Sequence, residues 1–301
     1  MVTDFSISKD IYPFEGKYLD LTDIKYHYLD EGTGDPVVMI HGNPSWSIYY
    51  RNLVKALKNE YRCIVPDHIG CGFSDKPSDE NYEYTLEQRV NDLEMLLQYL
   101  NIHENITLVV HDWGGMIGMA YASRYPKAIK RIVLLNTAAF LLPSSKKLPF
   151  SLKVFRNTAI GENLIKHFNA FSVGASVVGC TRNLMSKEMR EAYRAPYNSV
   201  ENRIATIRFV QDIPLEEGDK SYDMVFDVQE KLSQFKDLPV LMCWGMKDFV
   251  FDKHFLNEWL KYIPDAKVHK FDDCGHYILE DASDEVIKLI TEFLHNNPIK
   301  K

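Results

Sequence analysis

The stretch ITLVVHDWGGMIG, residues 106–118, carries the most distinctive local pattern in this chain. It begins with an apolar and β-branched run of the kind that forms a buried strand. The polar pair His111–Asp112 ends that run, and the glycines after Trp113 allow the chain to turn sharply into a helix. A side chain on such a strand-to-helix turn stands exposed at the edge of a sheet. The pattern therefore predicts a strand, a tight elbow at Asp112 and a helix.

Asp112 occupies the position at which this kind of elbow usually carries a serine, in the pattern G-x-S-x-G. A serine needs a base before it can attack, whereas an aspartate is already an anion at neutral pH, because its reference pKa is about 3.9. Asp112 can therefore attack an electrophilic carbon directly and form an ester with it. The alternative is an aspartate that only caps the following helix, a common role for this residue type.

Short apolar runs alternate with amphipathic segments on both sides of the elbow. Residues 17–30 have the pattern of a hairpin, and residues 85–100 carry apolar side chains at helical spacing. Such alternation indicates an α/β fold with a mostly parallel sheet and helices on both faces. The other predicted strands are residues 36–42, 62–70, 130–137, 238–245 and 266–275.

Residues 138–220 differ from the rest of the chain because they contain no comparable strand pattern. A break rich in Pro, Ser and Lys is followed by helical sequence with many aromatic residues. A helical insertion between two strands is well placed to cover the carboxyl ends of the strands, where ligands bind in open α/β folds. We therefore predict a core formed by residues 1–137 and 221–301, and a helical cap, or lid, over residues 138–220.

The composition argues against several functional classes. The net charge is −7 and the basic residues are scattered, which is not the footprint of a nucleic-acid-binding protein. No apolar run approaches the ~18 residues of a membrane span, and residues 1–10 lack the pattern of a signal peptide. The five cysteines are odd in number and show no zinc or disulfide pattern. We expect a cytoplasmic protein without a metal or other cofactor.

Four loops at predicted strand ends present polar residues, which suggests that these residues meet in one site. The loops are residues 41–46, Asp112–Trp113, residues 244–248 and residues 273–276. Asp112, Asp248 and His276 follow one another in the order nucleophile, acid and histidine that α/β-hydrolases use. We predict that these three residues form a catalytic triad.

Other interpretations of these residues remain open. Asp252 and Asp272 are alternative acids, and His276 could be a buried structural histidine. Asn136, near the end of the 130–137 strand, carries an amide and cannot serve as the acid, which favours Asp248. Glu280 and Asp281 fit a charge pair at a helix N-terminus better than catalytic groups.

Several motifs resemble the α/β-hydrolases with an aspartate nucleophile, specifically the haloalkane dehalogenase superfamily. The motifs are HGNPSW, PDHIGCGFSDKP, VVHDWGGMIG, WGMKD and CGHY, which together span most of the chain. NTAAF (136–140), RFVQDIPL (208–215) and DFVFD (248–252) are similar to the branch that contains the β-lactone decarboxylases of bacterial long-chain olefin synthesis. Val110 departs from the family pattern, which often has glycine there.

The resemblance implies a mechanism through a covalent alkyl-enzyme ester. Asp112 would attack an sp³ carbon and expel an anion, His276 would activate a water to hydrolyse the ester, and Asp248 would orient the imidazole. The side chains of Asn43 and Trp113 would bind the departing anion, and their backbone N–H groups would form the oxyanion hole. No tryptophan lies within residues 138–220, so a clamp with a second tryptophan from the cap is excluded.

Four functions are compatible with these residues. Carbon–halogen hydrolysis is the main interpretation, and decarboxylation of a cis-3,4-dialkyl β-lactone is the alternative. An epoxide hydrolase would use two cap tyrosines as acids, a role that Tyr193 and Tyr197 could fill. A non-catalytic ligand-binding protein of the same fold is the fourth, whereas an esterase or lipase is disfavoured because the elbow has no serine.

The substrate is expected to be small and apolar. The cap is rich in apolar residues that either contact a long apolar substrate or pack the cap onto the core. These residues are Phe155, Phe168, Phe171, Val173, Val177 and Val178. For partners we expect no nucleic acid and no membrane span, and either a homo-oligomer or a complex with other enzymes of the same pathway.

Overall fold

A computed structural model describes residues 5–299 of the chain. The first residues of the stretch on which the signal-peptide prediction depends, 1–4, lie outside the described residues. The strands are β1 (Lys17–Asp20), β2 (Lys25–Glu31), β3 (Pro36–Ile40), β4 (Arg62–Pro66), β5 (Ile106–Asp112), β6 (Ile129–Thr137), β7 (Val240–Gly245) and β8 (Lys267–Phe271).

The eight strands form one sheet in the order β1-β2-β4-β3-β5-β6-β7-β8. The pairs β1–β2 and β2–β4 are antiparallel, and every other pair is parallel. The predicted hairpin and mostly parallel sheet are therefore confirmed. Since β3, β5, β6, β7 and β8 run in one direction, the loops that follow them meet along a single edge of the sheet.

Helices cover both faces of the sheet. They are α1 (Arg51–Leu57), α2 (Leu86–Tyr99), α3 (Trp113–Arg124), α4 (Phe150–Asn157), α5 (Ala159–Phe168), α6 (Ala170–Val178), α7 (Lys187–Arg194), α8 (Ile204–Gln211), α9 (Tyr222–Lys231), α10 (Lys253–Tyr262), α11 (Ile278–Asp281) and α12 (Ser283–Asn296). Successive residues of β3 enter opposite layers: Val38 and Ile40 pack in one core, Val37 and Met39 in the other. This explains why the strands read as continuous apolar runs.

Within the described residues, the chain between β6 and β7 is helical and contains no strand. Helix α9 packs against α3 of the core, whereas α4, α5, α6 and α8 contact one another. The division of the chain into a core and a cap at residues 138 and 220 stays a prediction. Among residues 5–299, no helix combines the length and the apolar character needed to cross a membrane.

Candidate active site

Asp112 ends β5 with φ 52° and ψ −126°, a backbone conformation in which a non-glycine residue is strained. The strain is compatible with an elbow that aims one side chain out of the sheet edge. Gly42 lies against this carboxylate, and a Cβ at Gly42 would collide with it. Val110 fits because it faces Gly118 in the next helix, where a Cβ would lie 2.8 Å from the Val110 Cγ1.

The two oxygens of the Asp112 carboxylate have different surroundings. The backbone N–H of Asn43 donates to Oδ1 over 2.7 Å, and the backbone N–H of Trp113 is a second donor to the carboxylate. Oδ2 lies 3.7 Å from His276 Nε2. Burial raises the pKa of Asp112, and this effect outweighs the lowering by His276 and by the two N–H donors. Asn43 thus holds one oxygen in place, while the other faces His276.

His276 lies between two carboxylates. Its Nδ1 is 2.8 Å from Asp248 Oδ2, and its Nε2 faces Asp112. Burial lowers the pKa of His276, but the charges of Asp248 and Asp112 outweigh burial, so the pKa is raised above its usual 6.5. The backbone N–H of Val250 donates to Asp248 Oδ1 over 2.8 Å and fixes this carboxylate. The structure therefore brings together the three residues of the predicted triad.

The alternative acids are engaged elsewhere. Asp252 accepts from the backbone N–H of His254 at the start of α10 and pairs with Lys146 at 2.6 Å. Asp272 is exposed. Asn136 has a bracing role, because its amide bonds to Gly245 and Phe251 in the loop that carries Asp248.

The predicted anion donors line the same cavity as Asp112. Asn43 Nδ2 donates to the backbone carbonyl of Thr206 in α8 over 3.1 Å, which leaves its second N–H free for a ligand. Within residues 5–299 the Trp113 indole nitrogen has no hydrogen-bond acceptor, and its ring packs against Phe209 with 5.4 Å between centroids. Both donors are therefore available to an anion at the cavity end near Asp112.

The cavity has a volume of about 300 Å³ and is mostly apolar. Phe155, Phe171 and Val178 from the cap line it, so these side chains do more than pack the cap onto the core. Phe168 is 73% exposed and Val177 is 46% exposed, so these two side chains neither line the cavity nor pack the cap onto the core. The polar members of the lining are Asn43, Asp112, Trp113, Ser151 and His276.

The two cap tyrosines point away from this cavity. The Tyr193 hydroxyl donates to Glu280 over 2.7 Å, and the Tyr197 hydroxyl donates to the backbone carbonyl of Ser45 over 3.2 Å. Both side chains are buried, and neither lines the cavity among the described residues. They are not placed to protonate an epoxide bound beside Asp112.

Glu280 and Asp281 lie in the first turn of the short helix α11, as expected, but both side chains also bond to distant segments. Glu280 forms a two-pronged ion pair with Arg51. Asp281 is fully buried and accepts the backbone N–H groups of residues 181–183 and of Gly275, next to His276. It ties residues 181–183, shortly after α6, to the loop that carries His276, which we call the histidine loop.

Arg89 and its partner Asp212, which lie behind the anion donors, were not predicted from the sequence. Arg89 is on the face of α2 that carries Leu86, Val90 and Leu93, and all of these side chains are buried. A charged residue on an otherwise apolar helix face was the signal that could have identified it. Within residues 5–299 no cluster of His, Cys, Asp or Glu could hold a metal ion.

Comparisons with known proteins agree with this geometry. The alpha/beta hydrolase fold family matches residues 35–283. A cis-3-alkyl-4-alkyloxetan-2-one decarboxylase of Shewanella oneidensis is 62% identical, covering 94% of this chain and 89% of the relative. A haloalkane dehalogenase of Mycolicibacterium paratuberculosis is 31% identical, covering 93% of this chain and 92% of the relative. The crystal structure of haloalkane dehalogenase DbeA from Bradyrhizobium elkani superposes with a TM-score of 0.84 at 24% identity, over 94% of this chain and 98% of that one.

Proposed function

We propose a specific reaction for this chain, which belongs to the alpha/beta hydrolase fold family and is an enzyme with dehalogenase and decarboxylase relatives. The reaction is decarboxylation of a cis-3,4-dialkyl oxetan-2-one, a β-lactone, to an alkene and carbon dioxide. The observation that carries the proposal is the 62% identity to an oxetanone decarboxylase, twice the 31% identity to a dehalogenase. The site in question contains Asp112, Asp248, His276, Asn43 and Trp113.

In the first step the Asp112 Oδ2 attacks C4 of the lactone, the sp³ carbon that carries the ring oxygen. The C4–O bond breaks, and its electron pair leaves on the oxygen of a carboxylate that stays attached to C3. The product is an alkyl ester on Asp112. Asn43 Nδ2 and the Trp113 indole N–H donate hydrogen bonds to the new carboxylate, as oxyanion donors do in other enzymes.

In the second step the bond between C3 and the carboxylate carbon breaks. Its electron pair forms the C3=C4 double bond, carbon dioxide leaves, and the electrons of the ester bond return to Asp112. A protonated His276 beside Asp112 stabilises the returning carboxylate, and its raised pKa favours that form. No water, oxidant or reductant is consumed, so the reaction needs no cofactor.

The two proposed steps determine the stereochemistry of the product. Attack on the face opposite the ring oxygen inverts C4, so the new C4–O bond lies anti to the bond from C3 to the carboxylate. That is the geometry from which both groups depart together, without rotation about C3–C4. A cis lactone then gives a cis alkene, and a trans product would contradict the mechanism.

Hydrolysis of a carbon–halogen bond is the second candidate. The observation that favours it is the arrangement of His276 Nε2 and the N–H donors of Asn43 and Trp113 around the Asp112 carboxylate. After halide leaves, a neutral His276 would direct a water at the ester carbonyl while the two N–H groups bind the oxyanion. Both reactions share the first step and differ in the fate of the ester.

Oxygen-18 water distinguishes the two reactions on the enzyme itself. Hydrolysis places one water oxygen in the Asp112 carboxylate per turnover, whereas decarboxylation returns its original oxygens. We expect a dialkyl β-lactone to yield alkene and an unlabelled Asp112 peptide in mass spectrometry. Labelled Asp112 or no alkene from the lactone would overturn the proposal.

A matched experiment with 1,2-dibromoethane measures bromide release and labelling of the same peptide. For this substrate His276→Ala is expected to accumulate the alkyl ester, visible as a mass increase on the Asp112 peptide. If no adduct forms with either the haloalkane or the lactone, Asp112 is not the nucleophile.

The substrate type, the cellular location and the assembly of the enzyme are also proposals. The substrate is a small apolar molecule, consistent with the apolar lining of the cavity. The five cysteines are free, and this fits a reducing cytoplasm. Ile160, Leu164 and Phe168 form an exposed apolar stripe along α5, and such a stripe supports assembly as a homo-oligomer or with other enzymes of the pathway.

A further inference from the structure

We propose that the buried pair Arg89–Asp212 is a positioning device that holds α8 so that Asn43 and Trp113 aim at the departing anion. Arg89 comes from α2 in the core, and Asp212 directly follows α8 in the cap segment. The inference deepens the proposed function, because the anion is the carboxylate that opening of the lactone releases.

Helix α8 contacts both anion donors. The Thr206 carbonyl accepts one N–H of the Asn43 side chain, which fixes the direction of the other N–H. The Phe209 ring packs on the Trp113 ring with an interplanar angle of 56°. A small shift of α8 along or away from the core therefore moves both donors at once.

Arg89 and Asp212 bind α8 to α2. The Arg89 guanidinium lies 3.6 Å from the Phe209 ring centroid and 3.4 Å, through Nη1, from Asp212 Oδ2. The backbone N–H of Leu86 at the start of α2 donates to the same Oδ2 over 2.8 Å, and the Ser221 hydroxyl donates to Oδ1 over 2.7 Å. The carboxylate thus joins the end of α8 to the beginning of α2.

Packing alone does not explain why an arginine occupies this buried position. Its side chain is fully buried, and within residues 5–299 its Nε and Nη2 have no hydrogen-bond partner. Leaving such donors unpaired in the core costs free energy that an apolar side chain would not. The guanidinium carbon lies 6.0 Å from the Trp113 ring centroid, however, so a positive charge stands near the indole that faces the anion. That charge favours an anion at the indole N–H.

The test compares Arg89→Met with Arg208→Met. Arg208 is a matched control because it lies in α8 itself and forms an ion pair with Asp79, at 2.8 Å, on the surface and away from the cavity. Bromide and iodide are the probes, and quenching of tryptophan fluorescence reports their binding, since Trp113 is the one tryptophan lining the cavity among the described residues.

We expect Arg89→Met to weaken halide binding by about tenfold or more and Arg208→Met to leave it within about twofold. In the lactone reaction, Arg89→Met should lower kcat by a similar factor with little change in KM, because the interaction develops with the leaving charge. A folded Arg89→Met protein with the original halide affinity and kcat would overturn the inference.

Two further variants test the inference if Arg89→Met does not fold. Arg89→Lys keeps the charge but loses the planar contact with Phe209, and should recover part of the halide affinity. Asp212→Asn keeps an acceptor for Leu86 and should weaken halide binding, whereas unchanged affinity in both variants counts against the inference. Halide binding can be measured without a lactone, so the two proposals can fail separately. If the unmodified enzyme makes no alkene but Arg89→Met still weakens halide binding, the proposed function is refuted and the inference about Arg89 stands.

Discussion

Asp112 combines a strained backbone with a carboxylate that is costly to bury. Its φ of 52° lies in the left-handed region, and its ionised form is opposed by burial, which raises its pKa. A group whose pKa is raised in the folded state destabilises that state when it is ionised at neutral pH. Stability is therefore sacrificed at Asp112, as is common at functional sites.

Asp112→Asn is expected to raise the melting temperature at pH 7 by about 2–4 °C and to lower activity by about 10³-fold or more. The amide removes the buried charge, while its oxygen still accepts the backbone N–H of Asn43. Calorimetry measures the melting temperature, and Asp265→Asn on the exposed surface is the control. A lower melting temperature for Asp112→Asn but not for Asp265→Asn would contradict the idea that burying the charge of Asp112 destabilises the protein.

The pH dependence should differ between two substrates of the same enzyme. Hydrolysis of a haloalkane needs neutral His276, and the charges of Asp248 and Asp112 raise the pKa of this side chain above its usual 6.5. Bromide release should therefore decline as the pH falls through that raised pKa. Alkene formation tolerates protonated His276 and should persist until Asp112 itself is protonated at lower pH. Rate–pH profiles for both substrates test this, and identical acidic limbs would refute the distinct roles of His276.

At the scale of elements, two carboxylates connect the predicted cap segment, residues 138–220, to the rest of the chain. Asp212 joins α8 to the start of α2, and Asp281 joins residues 181–183 to the loop before His276. In both cases a backbone N–H group donates to a carboxylate about a hundred residues or more away in the sequence. The position of the histidine loop thus depends on a turn far away in the sequence.

Asp281→Asn is expected to destabilise the protein by about 2–4 kcal/mol, because the amide has one acceptor oxygen and would leave buried N–H groups unpaired. Asp284→Asn, exposed in the first turn of α12, is the matched control and should have little effect. Urea denaturation gives both values. Equal stabilities of the two variants would show that the contacts of Asp281 contribute little.

At the scale of the whole molecule, the cap segment and the core should unfold together. The contacts of Asp212 and Asp281, with the bond from Tyr197 to Ser45, would all break if the cap segment opened alone. We expect coincident urea transitions by far-ultraviolet circular dichroism and by tryptophan fluorescence, which is sensitive to Trp113 at the boundary. An earlier fluorescence transition would indicate that the cap segment unfolds separately.

Local patterns were sufficient to predict the sheet and to place Asp112, Asp248 and His276 together at one edge of it. The run 106–112 is a strand because its β-branched and apolar residues favour one, and parallel strands bring the residues at their carboxyl ends together. The contacts of Arg89, Thr206 and Asp281 were not predictable, because each joins segments about a hundred residues or more apart through packing. A backbone carbonyl such as that of Thr206 carries no signal in the residue type.

Every cysteine of the chain is buried. Maleimide dyes and spin labels react with accessible thiolates, so the unmodified protein offers them no fast site. A cysteine placed at Ile160, which is 72% exposed on α5, would be the single point of attachment without removal of any native thiol. The protein thus accepts a reporter on α5 directly, and such a reporter could follow in real time whether α5 moves when a substrate binds.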